Sequence, residues 1–203
     1  MKIYPSVMAK NQKELNLLFK KLSGVAKELH FDVVDNEFIK KKSDWFAFRL
    51  SSKFKYNVHL MVENPLSWIK KHGKKFALII FHPEPVKDVK KVISVIKKLK
   101  KKVGLSLKPE TSVSSIKKYL PELDYVLILT VHPGRYGAKF LKEPLKKINQ
   151  IKKINPKVKT IVDGGMSPET IKLAKEADAV VSGSFVSKAE NPKKAMRELK
   201  EAC

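Results

Sequence analysis

Leu-His-Phe-Asp-Val-Val-Asp, residues 29–35, is a short stretch rich in β-branched and aromatic residues that follows a helical pattern. Read as a strand, it places His30 and Asp32 on one face and Phe31 and Val33 on the other, because successive side chains alternate. A histidine and a carboxylate on one strand face suit a hydrophobic core poorly. Both can ligate a divalent metal ion, and the carboxylate can also transfer a proton. A solvated strand end is the alternative interpretation.

Two further residues of the same kinds favour the metal interpretation. His59 lies in the segment NVHLM at residues 57–61, and Asp163 lies in TIVDGG at residues 160–165. Both segments are short and mostly apolar, as expected of strands that carry a functional group near one end. The first stretch is therefore interpreted together with them.

Composition limits the classes of protein that the chain can represent. With 203 residues, of which 43% are hydrophobic, it can build a substantial core, and we expect a single domain over residues 1–203. No apolar run is long enough to span a bilayer, and Met1–Pro5 lacks the apolar core of a signal peptide. The single cysteine, Cys203, cannot form an internal disulfide. A cytoplasmic location is expected.

The formal net charge of +23 is unusual and raises the question of a polyanionic partner. The lysines are scattered over most of the predicted helices, and no aromatic residues are interleaved with them as a base-stacking surface would require. A lysine-rich helix surface is therefore favoured over nucleic-acid binding. Such a surface would also attract an anionic substrate.

Eight apolar segments alternate with helical or loop-plus-helix segments, and their starts recur about every 25 residues. This pattern predicts an α/β fold, a closed (β/α)8 barrel of parallel strands. A doubly wound open sheet is the alternative, but no Gly-x-Gly-x-x-Gly motif follows the first strand. Glu37–Asp44 is interpreted as a loop. The predicted strands are Lys2–Met8, Leu29–Asp35, Tyr56–Val62, Phe76–Phe81, Val103–Leu107, Tyr125–Val131, Lys159–Asp163 and Ala179–Val181.

The carboxyl ends of the strands form the active-site face of such a barrel. The polar residues predicted there are Ser6, His30, Asp32, His59, His82, Asp163 and Ser184. Two histidines and two aspartates from the second, third and seventh strands could surround one divalent ion. Mixed nitrogen and oxygen ligation suits zinc or ferrous iron, and manganese or cobalt could substitute.

Three glycine-containing turns follow the last three predicted strands. They contain Gly134 and Gly137, then Gly164 and Gly165, then Gly183 followed by Ser184. Each could simply close a turn, but successive loops of a barrel favour phosphate binding by backbone amides. A metal and two carboxylates beside a phosphate site suit proton abstraction next to a sugar-phosphate ketone, with inversion of one carbon.

The chain resembles the ribulose-phosphate 3-epimerases over nearly its whole length, through motifs that occur in one order. The motifs are residues 29–35 LHFDVVD, 58–62 VHLMV, 81–84 FHPE, 131–134 VHPG, 162–165 VDGG and 181–184 VSGS. The resemblance implies a (β/α)8 barrel that interconverts D-ribulose 5-phosphate and D-xylulose 5-phosphate. It also implies metal ligation by His30, Asp32, His59 and Asp163, with Asp32 and Asp163 as the acid/base pair. Ser6 matches a substrate-contacting serine, and Gly165, Gly183 and Ser184 match phosphate-binding positions.

The chain departs from the family pattern around the expected substrate pocket. Of three methionines that usually line it, Met61 remains, whereas Val34 and Leu129 take the other two places. The loops at 36–42 and 135–138 also differ. A related hexulose-phosphate 3-epimerase acting on allulose 6-phosphate, and a basic binding protein that has lost turnover, therefore stay open as alternatives. A homo-oligomer is possible.

Overall fold

The computed structural model describes residues 1–35, 46–132 and 139–203. Within them, eight parallel strands pair in chain order and close on themselves, β1 with β8. The predicted barrel is confirmed, and an open sheet is excluded because both would-be edge strands are paired. The strands are β1 Lys2–Val7, β2 Glu28–Val34, β3 Lys55–Met61, β4 Leu78–Phe81, β5 Lys102–Leu107, β6 Tyr125–Leu129, β7 Lys159–Asp163 and β8 Ala179–Ser182.

Helices follow most of the strands and begin at side-chain caps that the sequence indicates. The Asn11 side chain accepts a hydrogen bond from the Glu14 N–H, and the Asn191 side chain does the same for the Lys194 N–H. The α-helices are α1 Gln12–Leu22, α2 Pro65–His72, α3 Val89–Lys98, α4 Lys146–Ile154, α5 Pro168–Ile171, α6 Ser184–Ser187 and α7 Pro192–Glu201. The 3₁₀ segments are Gly73–Lys75, Val113–Glu122, Glu143–Leu145 and Lys172–Ala174.

The structure differs from the sequence-based expectations in several local respects, among them the start of β4 at Leu78 rather than at Phe76. The helix capped by Ser112 is a 3₁₀ helix, Val113–Glu122, which contains Pro121. Strand β6 ends at Leu129, two residues before its predicted end. The four-residue helix α6 directly follows β8 and was not expected, because so short a segment has no periodicity to detect.

The strands separate two apolar layers. Phe31 and Val33 point outward from β2, and the Phe31 ring packs 4.9 Å from that of Phe48 between the barrel and its helices. The opposite faces of the strands fill the barrel interior. The interior apolar residues are Tyr4, Leu78, Ile80, Tyr125, Leu127, Leu129, Ile161, Ala179 and Val181.

Some sequence predictions concern residues outside the described ranges. These are the loop Glu37–Asp44, the phosphate-site glycines Gly134 and Gly137, and the neighbouring 135–138 segment. Across the ranges that are described, every helix is too short or too polar to traverse a lipid bilayer.

Candidate active site

Strand register brings the predicted polar residues to one level at the carboxyl end of the barrel. Asp32 of β2 lies opposite His59 of β3, and Ser6 of β1 lies opposite His30. Asp163 is the last residue of β7. Since His30, Asp32 and His59 lie on inward-facing positions, the closed barrel directs all four side chains into its mouth.

The four side chains meet around one point. His30 Nε2 lies 3.4 Å from Asp32 Oδ1, and His59 Nδ1 lies 3.5 Å from Asp32 Oδ1 and 3.8 Å from Asp163 Oδ2. One potential ligand atom from each residue lies within 4.8 Å of the other three. Ligands about 2.1 Å from a tetrahedral ion would stand about 3.4 Å apart, so the spacing fits a common metal ion.

Several polar atoms of this cluster are buried without a hydrogen-bond partner among the described residues. They are both ring nitrogens of His30, Nδ1 of His59 and Oδ1 of Asp32. Leaving such atoms unpaired costs about 1–3 kcal/mol each, and one cation would satisfy Nε2 of His30, Nδ1 of His59 and Oδ1 of Asp32. The donor set of two imidazoles and two carboxylates also suits zinc or ferrous iron. The residues present therefore fit a divalent metal ion.

Burial and mutual charge separate the protonation of the two carboxylates. Burial, reinforced by the charge of Asp32, raises the pKa of Asp163 from 3.8 to about 7. Burial also opposes ionisation of Asp32, but the charge of His30 and the close approach of the His30 and His59 ring nitrogens, at 3.4 and 3.5 Å, outweigh it and hold the Asp32 pKa well below its usual range. In the metal-free protein at neutral pH, Asp32 is ionised and Asp163 is partly protonated.

The two histidines of the cluster also differ in their pKa values. Burial lowers the pKa of His59 to about 4. Burial also lowers that of His30, but the close approach of Asp32 and the charges of Asp32 and Asp163 raise it overall. The His59 ring is therefore neutral, which is the state in which imidazole ligates a metal. Both histidine side chains are fully buried, whereas those of Asp32 and Asp163 are 9% and 18% exposed, so the carboxylates border the open mouth.

A second group of polar residues lies behind His59. Its Nε2 atom is 2.9 Å from Nε2 of His82, and His82 Nδ1 is 3.3 Å from Glu84 Oε2. The Thr111 hydroxyl donates to the other Glu84 oxygen at 2.5 Å. The sequence predicted that His82 lies at the barrel mouth, but it did not link His82 to His59 or assign any role to Glu84 and Thr111.

The residues expected to contact the substrate occupy the same end of the barrel. Ser6 is buried on the inward-facing side of β1, and its carbonyl accepts a hydrogen bond from the Ser187 hydroxyl of α6. Met61 is also buried, two residues after His59 on β3, and it lies opposite Val34 in the register.

The expected phosphate-site residues that the structure describes lie in two adjacent loops. Gly164 and Gly165 follow β7 with φ angles of 116° and 66°, a backbone region that favours glycine. Gly183 is half-buried and immediately precedes α6, whose first residue, Ser184, is exposed. Because β7 and β8 are paired, both loops open onto the same part of the mouth.

Comparisons with known proteins agree with this architecture. The model of the "Ribulose-phosphate 3 epimerase family" matches residues 2–187. A ribulose-phosphate 3-epimerase of Bacillus subtilis is 32% identical over 213 residues, covering 98% of each chain. Another, from Aquifex aeolicus, is 32% identical over 190 residues, covering 88% of this chain and 86% of the relative.

Solved structures with low sequence identity share the fold. KGPDC from Streptococcus mutans in complex with D-R5P superposes with a TM-score of 0.72 at 12% identity, covering 98% of this chain and 95% of that one. The 3-hexulose-6-phosphate synthase of Salmonella typhimurium has a TM-score of 0.68 at 16% identity, covering 100% and 98%.

Proposed function

The chain belongs to the ribulose-phosphate 3-epimerase family, whose members are isomerases of the epimerase class. We propose that it interconverts D-ribulose 5-phosphate and D-xylulose 5-phosphate with the help of a divalent metal ion. The observation that carries the proposal is the buried cluster of His30, Asp32, His59 and Asp163 at the carboxyl end of the barrel. Zinc or ferrous iron is the proposed ion, and manganese or cobalt could substitute.

A bound divalent ion would polarise the substrate ketone and stabilise negative charge on the enediolate oxygens. The four side chains would hold it, with the two histidines supplying nitrogen and the two aspartates supplying oxygen. The unpaired buried atoms of His30, Asp32 and His59 support this assignment, since the apoprotein offers them no partner in the described residues.

The two carboxylates would move the proton at C3 of the sugar. Asp32 and Asp163 lie on β2 and β7, which are separated by β1 and β8 on one side of the ring. They can therefore approach a bound substrate from different sides. One carboxylate would remove the C3 proton from one face, and the other would deliver a proton to the opposite face, which inverts the carbon. The higher pKa of Asp163 and the lower pKa of Asp32 support an acid and a base in one site.

The loops after β7 and β8 would bind the phosphate. Backbone amides around Gly164, Gly165 and Gly183 and the hydroxyl of Ser184 are the proposed donors. Ser6 of β1 and Met61 of β3 would contact the sugar. Both side chains are buried. Gly134 and Gly137 stay predicted contacts.

The decisive experiment measures activity and metal on one sample. Purified protein is assayed with ribulose 5-phosphate by a coupled reaction that consumes xylulose 5-phosphate, and its metal content is determined by elemental analysis. We expect epimerisation and about one ion per chain, both lost after chelation and restored by added metal. Full activity in demetallated protein would refute the metal dependence. Turnover of allulose 6-phosphate but not of ribulose 5-phosphate would refute the substrate.

A further inference from the structure

We propose that His82 and Glu84 are positioning residues that hold His59 in the single tautomer able to ligate a metal ion. The two side chains extend from the end of β4, next to the strand that carries His59. This inference rests on the metal centre of the proposed function. Its consequences are measured without substrate, so it can be tested whether or not the epimerase assay succeeds.

The His59 ring presents its two nitrogens to different neighbours. Its Nδ1 atom faces Asp32 and Asp163, at 3.5 and 3.8 Å, and its Nε2 atom faces away from them, 2.9 Å from Nε2 of His82. A neutral imidazole carries its proton on one nitrogen only. For Nδ1 to ligate a metal, the proton has to be on Nε2.

His82 decides whether that arrangement is stable. The two facing Nε2 atoms need one proton between them, because two lone pairs at 2.9 Å repel each other. If His59 Nε2 donates, then Nε2 of His82 accepts, and a neutral His82 carries its own proton on Nδ1. His82 is buried, and burial disfavours the charged imidazolium form of this ring.

Glu84 then selects between the two possible proton arrangements. A carboxylate accepts hydrogen bonds and cannot donate, and Glu84 Oε2 lies 3.3 Å from Nδ1 of His82. A proton on His82 Nδ1 therefore meets an acceptor, whereas a bare nitrogen there would face a negative oxygen. The contact with His82 and the hydrogen bond from Thr111 outweigh the effect of burial and lower the pKa of Glu84 to about 2. Glu84 is therefore ionised at neutral pH.

The loop that presents Thr111 is itself held in place. The buried Lys147 side chain of α4 donates from Nζ to the carbonyls of Lys108 at 2.7 Å and Pro109 at 2.8 Å. This fixes the β5 loop, whose Thr111 hydroxyl donates to Glu84. The loop therefore fixes the carboxylate, the carboxylate orients His82, and His82 sets the proton position on His59.

The test replaces Glu84 by its neutral isostere. Glu84→Gln removes the obligate acceptor, so His82 is free to donate through Nε2 and to drive the His59 proton onto Nδ1. We expect zinc and cobalt affinity, measured by competition with a chromophoric chelator, to fall roughly 10- to 100-fold. The matched control is Glu110→Gln, which removes one negative charge from the neighbouring loop, where Glu110 pairs with His132 and acts on His82 only through its charge. The control separates tautomer selection from a general loss of charge.

A second pair of variants tests His82 itself. His82→Gln retains a side-chain carbonyl that can accept from His59 Nε2, whereas His82→Leu offers no acceptor. The affinity for zinc should be partly preserved in the first and lost in the second, while the melting temperatures of the two metal-free proteins show whether either substitution simply unfolds the chain.

Nitrogen-15 NMR of the histidine rings reports the tautomer directly. In the metal-free wild type, His59 should carry its proton on Nε2, and in Glu84→Gln the Nδ1-protonated form should increase. The inference is overturned if wild-type His59 carries its proton on Nδ1. It is also overturned if Glu84→Gln loses no more metal affinity than Glu110→Gln. Wild-type protein that binds no metal would instead refute the metal centre, and the NMR result would still decide the tautomer.

Discussion

The carboxylate of Asp163 is buried beside the ionised carboxylate of Asp32, so its own ionisation is costly in the metal-free protein. An acid whose pKa is higher in the folded state favours folding below its ordinary pKa, and this contribution is lost as the pH rises through the folded value. For Asp163 the pKa rises from 3.8 to about 7, so this loss occurs between those two pH values. The contribution of Asp163 to the stability of the metal-free protein should therefore be lost over that range.

This cost predicts that removing a proposed functional group stabilises the apoprotein. At about pH 8, Asp163→Asn should increase the unfolding free energy of chelator-treated protein by on the order of a few kcal/mol, and the melting temperature should rise accordingly. At about pH 5 the gain should be much smaller. Asp178→Asn is the control, because Lys152 Nζ donates to that carboxylate at 2.6 Å and its loss should destabilise the protein at both pH values. An Asp163→Asn variant no more stable than wild type at the higher pH would contradict the prediction.

The two-carboxylate chemistry makes a separate prediction. Asp32→Asn and Asp163→Asn should each reduce net epimerisation by at least the hundred- to ten-thousandfold typical of losing a general acid or base. In heavy water, wild-type enzyme should place solvent deuterium at C3 of the product in both directions. Metal content has to be measured in both variants, since each residue is also a proposed ligand. Near-normal turnover by either metal-loaded variant would show that the replaced aspartate is not needed as an acid or base.

The phosphate site can be tested with a single added charge. Ser184→Asp places a carboxylate in the loop after β8, where it would repel a phosphate dianion, so KM for ribulose 5-phosphate should rise roughly tenfold or more with little change in kcat. Ser23→Asp is the matched control, because Ser23 is an exposed residue at the end of α1, on the opposite side of the barrel. Equal KM values for the two variants would place the phosphate elsewhere.

At the scale of secondary-structure elements, the turn after β7 depends on a close backbone approach. A Cβ atom on Gly164 would lie 2.6 Å from Cγ2 of Val131, and the Gly164 φ angle of 116° is itself strained for other residues. The Gly164 carbonyl also accepts a hydrogen bond from the Thr130 hydroxyl at 2.6 Å. This turn fixes the residue that follows Asp163, so strain here should reach the site.

Gly164→Ala should therefore cost about 2–4 kcal/mol of unfolding free energy, measured by denaturant titration, and should lower activity as well. Gly24→Ala is a matched control, since Gly24 also has a positive φ angle, of 78°, but a Cβ atom there would meet nothing within 4 Å. The control should lose only about 1 kcal/mol and keep full activity. Equal losses of stability in the two variants would show that the contact with Val131 is unimportant.

The strands and the clustering of His30, Asp32, His59 and Asp163 were predictable because they obey local rules. Alternation along β2 places His30 and Phe31 on opposite faces from the sequence alone. The 3₁₀ form of Val113–Glu122 was not predictable, since its apolar spacing is also that of an α-helix. The partnership of His59 with His82 depends on the stagger between β3 and β4, in which His59 pairs with Ile80 rather than with His82 itself. Stagger is set by closure of the whole barrel, and no motif records it.

At the scale of the whole molecule, the net charge of +23 would attract the proposed anionic substrate. The lysines of α7 illustrate the pattern: Lys193, Lys194 and Lys200 are exposed, while Ala195 and Leu199 are buried. This agrees with a lysine-rich helix surface. It also means that the charge acts on a substrate from outside the site.

We therefore expect kcat/KM for the sugar phosphate to fall several-fold between about 20 and about 200 mM NaCl, because salt screens exposed charges beyond roughly 10 Å. Initial rates at substrate concentrations well below KM measure this directly. The melting temperature over the same salt range serves as the control for stability. A kcat/KM value independent of salt would show that the surface charge plays no part in substrate capture.

Closure of the barrel through β8 also has a consequence for how the chain matures on the ribosome. All four proposed ligands have been synthesised once Asp163 is made, but β7 reaches β2 only through β8 and β1. Until residues 179–182 emerge, β1 and β7 are open sheet edges that invite pairing with other chains. A nascent chain at that stage already contains every donor atom, yet Asp163 stands at the far edge of an unrolled sheet from His30. Metal binding by all four proposed ligands therefore has to follow the folding of the last strand, and a chelator present during translation should leave barrel formation intact.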